Sequence, residues 1–251
     1  MYTLKKSLGQ HFLKDENVCK KIVASLDSCD FENLLEIGPG AGALTKYLLT
    51  LPNIDFKTVE VDPEKVDYLV ATFPTIKQSI LLQDVLDMNK PFDGKFAIIG
   101  NFPYNISTQI LFKILAWKEN IVCVTGMFQK EVAQRIVAKE GSKTYGISSV
   151  LAQAFFHVEY LFEVSEKSFQ PPPKVKSAVI RLTPKQKSLL MKSEDNFFLL
   201  VKTAFNQRRK TLRNAVRTLF AEDTLKQPIF DARAEQLKVE EFAELTFKML
   251  P

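Results

Sequence analysis

The sequence predicts an α/β protein: a mostly parallel sheet with helices on both faces, closed by an antiparallel strand and followed by a small all-helical domain. Three observations predict it. Short apolar runs alternate with helical-looking segments as far as residue 139, and after residue 145 the order changes to a short helix and two strand-like runs. Residues 185–251 then show helical spacing alone. Strand alternating with helix needs crossover connections, which place helices on both faces of a parallel sheet.

The runs Asn33-LLEIG, Phe56-KTVEVD, Ser79-ILLQD, Lys95-FAIIGN and Asn120-IVCVTGMF are rich in Val, Ile, Leu and Phe, as buried strands are. Between most of them lie candidate helices at 44–51, 63–72, 107–117 and 128–139. HVEYLFEVS and SAVIRLTP form the closing antiparallel pair. Thr183-Pro184-Lys185 ends the last strand and marks the expected boundary between domains 1–184 and 185–251. Beyond it Phe197, Leu200, Val201, Ala204 and Phe205 form one apolar stripe, continued by Leu212, Val216, Leu219 and Phe220. The tail 231–250 reads as two short helices around Lys238-Val239.

A chain of 251 residues buries enough surface to fold without disulfide or metal staples. No apolar stretch reaches the roughly 20 residues that span a bilayer, and the first twenty residues lack a signal-peptide core. Cytoplasmic localisation follows as the expectation. Three scattered cysteines and two histidines make no zinc-type spacing, so no metal site is expected. Charge is unevenly placed. Residues 174–217 hold twelve basic and two acidic residues, whereas the remainder is net acidic. A basic block on a mildly acidic body suits a polyanionic partner.

Glu36-Ile37-Gly38-Pro39-Gly40-Ala41-Gly42 lies between the first apolar run and a helix. Alternating glycines let the chain turn sharply and let a ligand approach the main chain. Gly38-x-Gly40-x-x-Ala43 with Glu60 further on also satisfies a dinucleotide fingerprint. Glu36 favours another ligand: a carboxylate beside the turn repels a pyrophosphate but suits the ammonium and sulfonium of S-adenosylmethionine. Glu60, in VEVD at the end of the second run, can accept both ribose hydroxyl protons, and Asp84, after the third run, can accept from an adenine amino group. Asp62 and Asp84 can equally be caps or solvated strand ends.

Asn101-Phe102-Pro103-Tyr104 follows the fourth run on the same sheet edge. The N6 amine of adenine is a weak nucleophile because its lone pair is delocalised into the ring. An Asn101 amide oxygen and a main-chain carbonyl near Phe102 or Pro103 can accept its two N–H bonds and free the lone pair for a methyl carbon. Pro103 fixes the local φ, and Tyr104 offers a face on which an extruded base stacks. The bland alternative is an Asn-x-Pro turn at a strand end.

Gly9-Gln10-His11-Phe12-Leu13, EIGPGAG, NFPYNIST (101–108), GSKTYGISSVLAQ (141–153), SFQPPPKVKSAVIRL (168–182) and FNQRRKTLRN (205–214) run in one order through the chain. Together they resemble the KsgA-type small-subunit ribosomal RNA adenine dimethyltransferases. Phe102 stands where the family's commoner motif has Leu, and His11 where it has Asn. The resemblance implies a Rossmann-like class I methyltransferase sheet and S-adenosylmethionine contacts at His11, Leu13, Gly38, Glu60, Asp84 and Asn101, with Gly40 in the same turn. It also implies transfer of two methyls to N6 of each of two adjacent adenosines near the 3′ end of the 16S RNA of an immature 30S subunit; a monomer is a separate expectation. His11 to Leu13 then read as a lid over the cofactor. Phe169, stiffened by Pro171-Pro172-Pro173, reads as the base-stacking ring opposite Tyr104, with a rigid connection as the equal alternative.

Arg208, Arg209, Lys210 and Arg213 are expected on one helix, without acidic neighbours at helical spacing, and so on RNA phosphates. Three rivals remain open at the level of sequence. They are a macrolide-resistance type large-subunit RNA methyltransferase, a non-catalytic assembly or transcription factor on the same fold, and a DNA adenine methylase.

Overall fold

The structure, a computed structural model, describes residues 11–251. Gly9 and Gln10 of the N-terminal motif lie outside the described residues.

Two short strands, β1 (Phe12–Leu13) and β8 (Phe169–Gln170), pair antiparallel and strap the start of the described chain to a later segment. The main sheet is built from β2 (Asn33–Ile37), β3 (Asp55–Glu60), β4 (Ile80–Leu82), β5 (Phe96–Asn101), β6 (Ile121–Gln129), β7 (Phe156–Val164) and β9 (Ser177–Pro184). These seven strands are ordered β4-β3-β2-β5-β6-β9-β7. β2 pairs in parallel with both β3 and β5, β3 with β4, and β5 with β6, whereas β9 joins β6 antiparallel. The chain therefore builds outward from β2 in one direction and then the other. The carboxyl ends of β2, β3 and β5 open on the crevice where such sheets bind ligands.

Leu34, Leu35, Ile98, Ile99, Val124 and Ile180 are buried strand residues, as a sheet covered on both faces requires. Local chemistry starts the helices where the chain must leave the sheet. Asp15 accepts from the Asn17 and Val18 amides to cap α1 (Glu16–Ala24). Asp62, with Pro63 behind it, caps α3 (Pro63–Thr72). The remaining helices of this region are α2 (Thr45–Leu48) and α4 (Ser107–Ala116). The helix expected at 128–139 is shorter. β6 runs on to Gln129, held by β9 from Val124 to Gln129, and α5 covers only Lys130–Ile136.

The chain forms two compact units. One comprises the chain through Ala133 with Glu159–Pro184, the other Gln134–Val158 with Lys185–Pro251. The cut at Pro184 coincides with the expected boundary, but Gln134–Val158 groups with the helical part. The reason is packing: α6 (Ile147–Phe155) buries Val150, Leu151 and Ala154, and Phe155 meets Phe197 of α7 (Glu194–Asn206) edge-on at 6.5 Å. That unit is completed by α8 (Leu212–Ala215), α9 (Glu222–Leu225) and α10 (Val239–Thr246).

Candidate active site

One hollow gathers the glycine turn, the N-terminal strap and the Asn101 turn. It is lined by residues from His11–Leu13, Glu36–Leu44, Glu60–Lys65 and Asn101–Ile106. Gly38 and Gly40 adopt φ of 68° and 59°, a left-handed conformation that side chains disfavour. The fit between the three segments is close. A Cβ on Gly40 would sit 3.6 Å from the Phe12 ring, and one on Gly38 would sit 3.5 Å from the Pro103 ring.

Two acids from adjacent strand ends face this space. Glu36 is buried, and its Oε2 accepts from the Thr45 hydroxyl at 2.7 Å. Burial, aided by repulsion from Glu60, pushes its carboxyl up to about 8, although the Thr45 hydrogen bond pulls the other way. Glu60 is fixed by three donors: the Val61 and Asp62 amides on Oε1 at 3.0 and 3.2 Å, and Lys65 Nζ on Oε2 at 3.4 Å.

The Asn101 turn is braced from behind. Gly100 and Gly126 lie opposite each other on β5 and β6, and this glycine pair leaves a slot for the Phe102 ring, which packs edge-on against Phe128 at 5.0 Å. The Phe102 amide donates to the Met127 carbonyl at 3.1 Å. A larger apolar ring than the family's leucine is thus accommodated by space in the sheet. In front, Asn101 Nδ2 donates to the His11 carbonyl at 3.5 Å, which orients the amide and leaves Oδ1 as the acceptor. The Tyr104 hydroxyl bonds Ser177 at the start of β9, and burial raises its pKa. Its ring lies 5.8 Å from that of His11, whose Nδ1 is 2.9 Å from the Pro171 carbonyl.

Two expectations need correction, the place of Phe169 and the helix through Arg208–Lys210. Phe169 does not face the hollow: it is 1% exposed and packed among Leu13, Met127 and Val179, because β8 pairs with β1 and turns the ring into the core. Asp84 follows β4 at the same sheet edge; its Oδ1 accepts from the Leu86 amide at 2.9 Å, which leaves Oδ2 as an open acceptor. Arg208, Arg209 and Lys210 are not helical. α7 ends at Asn206, Gln207 leaves helical geometry with ψ of 53°, and the three residues form an exposed turn. Arg213, on α8, has no acidic neighbour at helical spacing, as expected, and pairs instead with Asp231 of a more distant segment at 2.7 Å. Arg208 donates to the Lys143 carbonyl and so ties that turn to the 141–143 loop, whereas Arg209 and Lys210 have no charged partner among the described residues. Sequence reasoning missed Lys65, Thr45 and Ser177. Lys65 had a signal, a lysine five residues beyond Glu60 in the first turn of a helix.

A parallel sheet with a glycine turn after β2, acids ending β2 and β3, and an Asn-x-Pro-Tyr turn after β5 defines a Rossmann-like S-adenosylmethionine-dependent methyltransferase. The site suits that cofactor: carboxylates answer an ammonium and ribose hydroxyls, and the glycine turn leaves a cradle that side chains would fill. The sequence profile of ribosomal RNA adenine dimethylases matches residues 1–249, and the chain belongs to that family. It is 55% identical to the Ribosomal RNA small subunit methyltransferase A of Flavobacterium johnsoniae over 98% of this chain and 95% of that one. It is 54% identical to the protein of the same description from Parabacteroides distasonis, over 96% and 92%. Among solved structures, a dimethyladenosine transferase from Plasmodium falciparum matches with a TM-score of 0.77 and 25% identity, covering 94% of this chain and 96% of that one. The 23S rRNA methyltransferase ErmE matches with 0.70 and 23% over 93% and 99%, a likeness of fold.

Proposed function

We propose that this protein dimethylates N6 of two adjacent adenosines near the 3′ end of small-subunit ribosomal RNA. The observation that carries the reading is the identity of 55% to a small-subunit methyltransferase across 98% of the chain. The protein is an S-adenosylmethionine-dependent RNA adenine dimethyltransferase, and the bound cofactor supplies an electrophilic methyl on its sulfonium.

The residues of this chain do the rest by positioning. Asn101 Oδ1 accepts one N–H of the target amine. A main-chain carbonyl of Phe102 or Pro103 accepts the other; that of Pro103 already receives the Ile106 amide and has one lone pair left. With both protons held, the nitrogen lone pair is free to leave the ring plane. Tyr104, anchored by Ser177, gives the extruded base a stacking face. His11 and Leu13 close the strap side, Gly38 and Gly40 admit the methionine end, Glu36 answers its ammonium, and Glu60 takes a ribose hydroxyl on Oε2. Asp84 takes the adenine amino group on Oδ2, Oδ1 being held by the Leu86 amide. After alkylation the amine is acidic and loses its proton to water, so no strong base is needed, and a second round gives the dimethyl product.

In the helical unit, Arg209 and Lys210 hold RNA phosphates, while Arg208 and Arg213 shape the turn and helix that present them. The substrate is an immature 30S particle, and the enzyme works as a cytoplasmic monomer. Among the described residues no helix is long and apolar enough to cross a membrane. Undermethylated small subunits incubated with the protein and labelled cofactor are expected to yield labelled N6,N6-dimethyladenosine on nucleoside mass analysis. Label on a large-subunit adenosine, on another atom, or nowhere contradicts the reading.

A further inference from the structure

We propose that Lys65 is a positioning residue for cofactor recognition: its ammonium holds the Glu60 carboxylate so that Oε2 presents its remaining lone pair to the ribose. The inference rests on the reading of Glu60 as the ribose acceptor.

Three observations carry it. First, the two oxygens of Glu60 are not equivalent. Oε1 already accepts from the Val61 and Asp62 amides, which fills its lone pairs, so a ligand hydroxyl must be met by Oε2. The donor already on Oε2 is Lys65 Nζ at 3.4 Å, and its direction fixes which way the remaining lone pair points.

Second, Lys65 lies in the site. It lines the same hollow as Glu36, Glu60 and Asn101, where it is the one lysine or arginine among the described residues. Its side chain is only 10% exposed and that of Glu60 only 4%. Third, the arrangement is a poor way to gain stability. An ammonium withdrawn from water is expensive, and a partner at 3.4 Å recovers that cost incompletely. An aliphatic side chain at this point on α3 would pack without that cost. The cation is therefore better explained by the carboxylate it steers than by the fold.

Lys65 could otherwise act simply as a charge, and the two roles predict different behaviour. S-adenosylmethionine and S-adenosylhomocysteine share the ribose, but only the former carries the sulfonium. A positioning role moves both affinities together. A purely electrostatic role changes their ratio, because deleting a cation favours the sulfonium.

The test is calorimetric titration of both compounds into the protein and its Lys65→Met, Lys65→Arg, Glu60→Gln and doubly substituted variants, with the KM for the cofactor measured beside it. Loss of a hydrogen bond to a charged group corresponds to about tenfold in affinity. Lys65→Met is expected to weaken both compounds by about that factor, with an unchanged ratio and a KM for the cofactor raised in step. Lys65→Arg should recover most of the loss, and in the Glu60→Gln background Lys65→Met should cost nothing further. If Lys65→Met melts below the assay temperature, Lys65→Gln carries the same expectation. Unchanged affinity in Lys65→Met while Glu60→Gln weakens binding overturns the proposal alone, as does a changed ratio. Unchanged affinity in Glu60→Gln overturns the ribose reading, and the proposal with it.

Discussion

The hollow at the strand ends and the basic turn after α7 handle charge in opposite ways. In the hollow the two acids and Asn101 are held by partners: Glu36 has Thr45, Glu60 has two amides and Lys65, and Asn101 has the His11 carbonyl. In the turn, Arg208 is tied to Lys143, but Arg209 and Lys210 project without a charged partner among the described residues. The difference reflects what each region is asked to do. Steering a reluctant amine needs groups fixed before the substrate arrives, whereas gripping a phosphate backbone needs cation charge left over.

The largest expected effect tests the fixed side. Asn101→Ala should cut turnover by about a hundredfold or more while cofactor affinity stays within about tenfold, as for loss of a preorganised acceptor. Steady-state methyl transfer beside calorimetry checks it, and near-normal turnover would remove Asn101 from its role. Gly126→Ala comes next. Its Cβ would overlap the Phe102 and Phe128 rings, so overpacking should lower stability by about 1–3 kcal/mol in denaturant titration. An unaffected midpoint would mean that Phe102 is not braced by the glycine slot.

The pH behaviour of Glu36 is a smaller and sharper test. Its carboxyl, ordinarily near 4.5, is raised to about 8 in the folded protein. The stability this gives is complete below about 4.5 and is lost as pH rises through about 8. Relative to the wild type, Glu36→Gln should therefore gain thermal midpoint steadily across that window. Cofactor affinity of the wild type should rise over the same window, because the ammonium prefers the ionised carboxylate, and Glu36→Gln should lack that rise. Parallel curves for the two proteins would exclude Glu36 as the titrating group. The smallest effect lies on the loose side. Charge reversal of Arg209 and Lys210 should weaken RNA binding and lower the salt slope by about one for each phosphate no longer neutralised. The same slope in the variant would take both out of the interface.

The comparison also explains what was legible in the sequence. Buried strands such as Leu34–Ile37 and Phe96–Ile99 read clearly because a sheet covered on both faces makes apolar runs, and the glycine and Asn101 motifs read clearly because their chemistry restricts residue type. The β1–β8 strap went unseen, since two-residue strands have no periodicity, and with it went the burial of Phe169. The helix drawn through Arg208–Lys210 failed because apolar spacing continues across a break at Gln207 that is stabilised by a hydrogen bond to a segment distant in sequence. Asp231 lies eighteen positions beyond Arg213, outside any helical neighbour rule. Lys65 was passed over because its spacing from Glu60 is a weak signal until the fold buries the two side chains together.

The central claim is that a single hollow, built where β2, β3 and β5 end, receives the cofactor. Hydrogen–deuterium exchange with and without saturating S-adenosylmethionine tests it most directly. The account predicts slowed exchange in peptides covering the His11–Leu13 strap, the Gly38–Gly42 turn, Val61–Asp62 and the Asn101–Ile106 turn, with α7 and α10 unchanged. Protection confined to other segments, or none in these four, would contradict it.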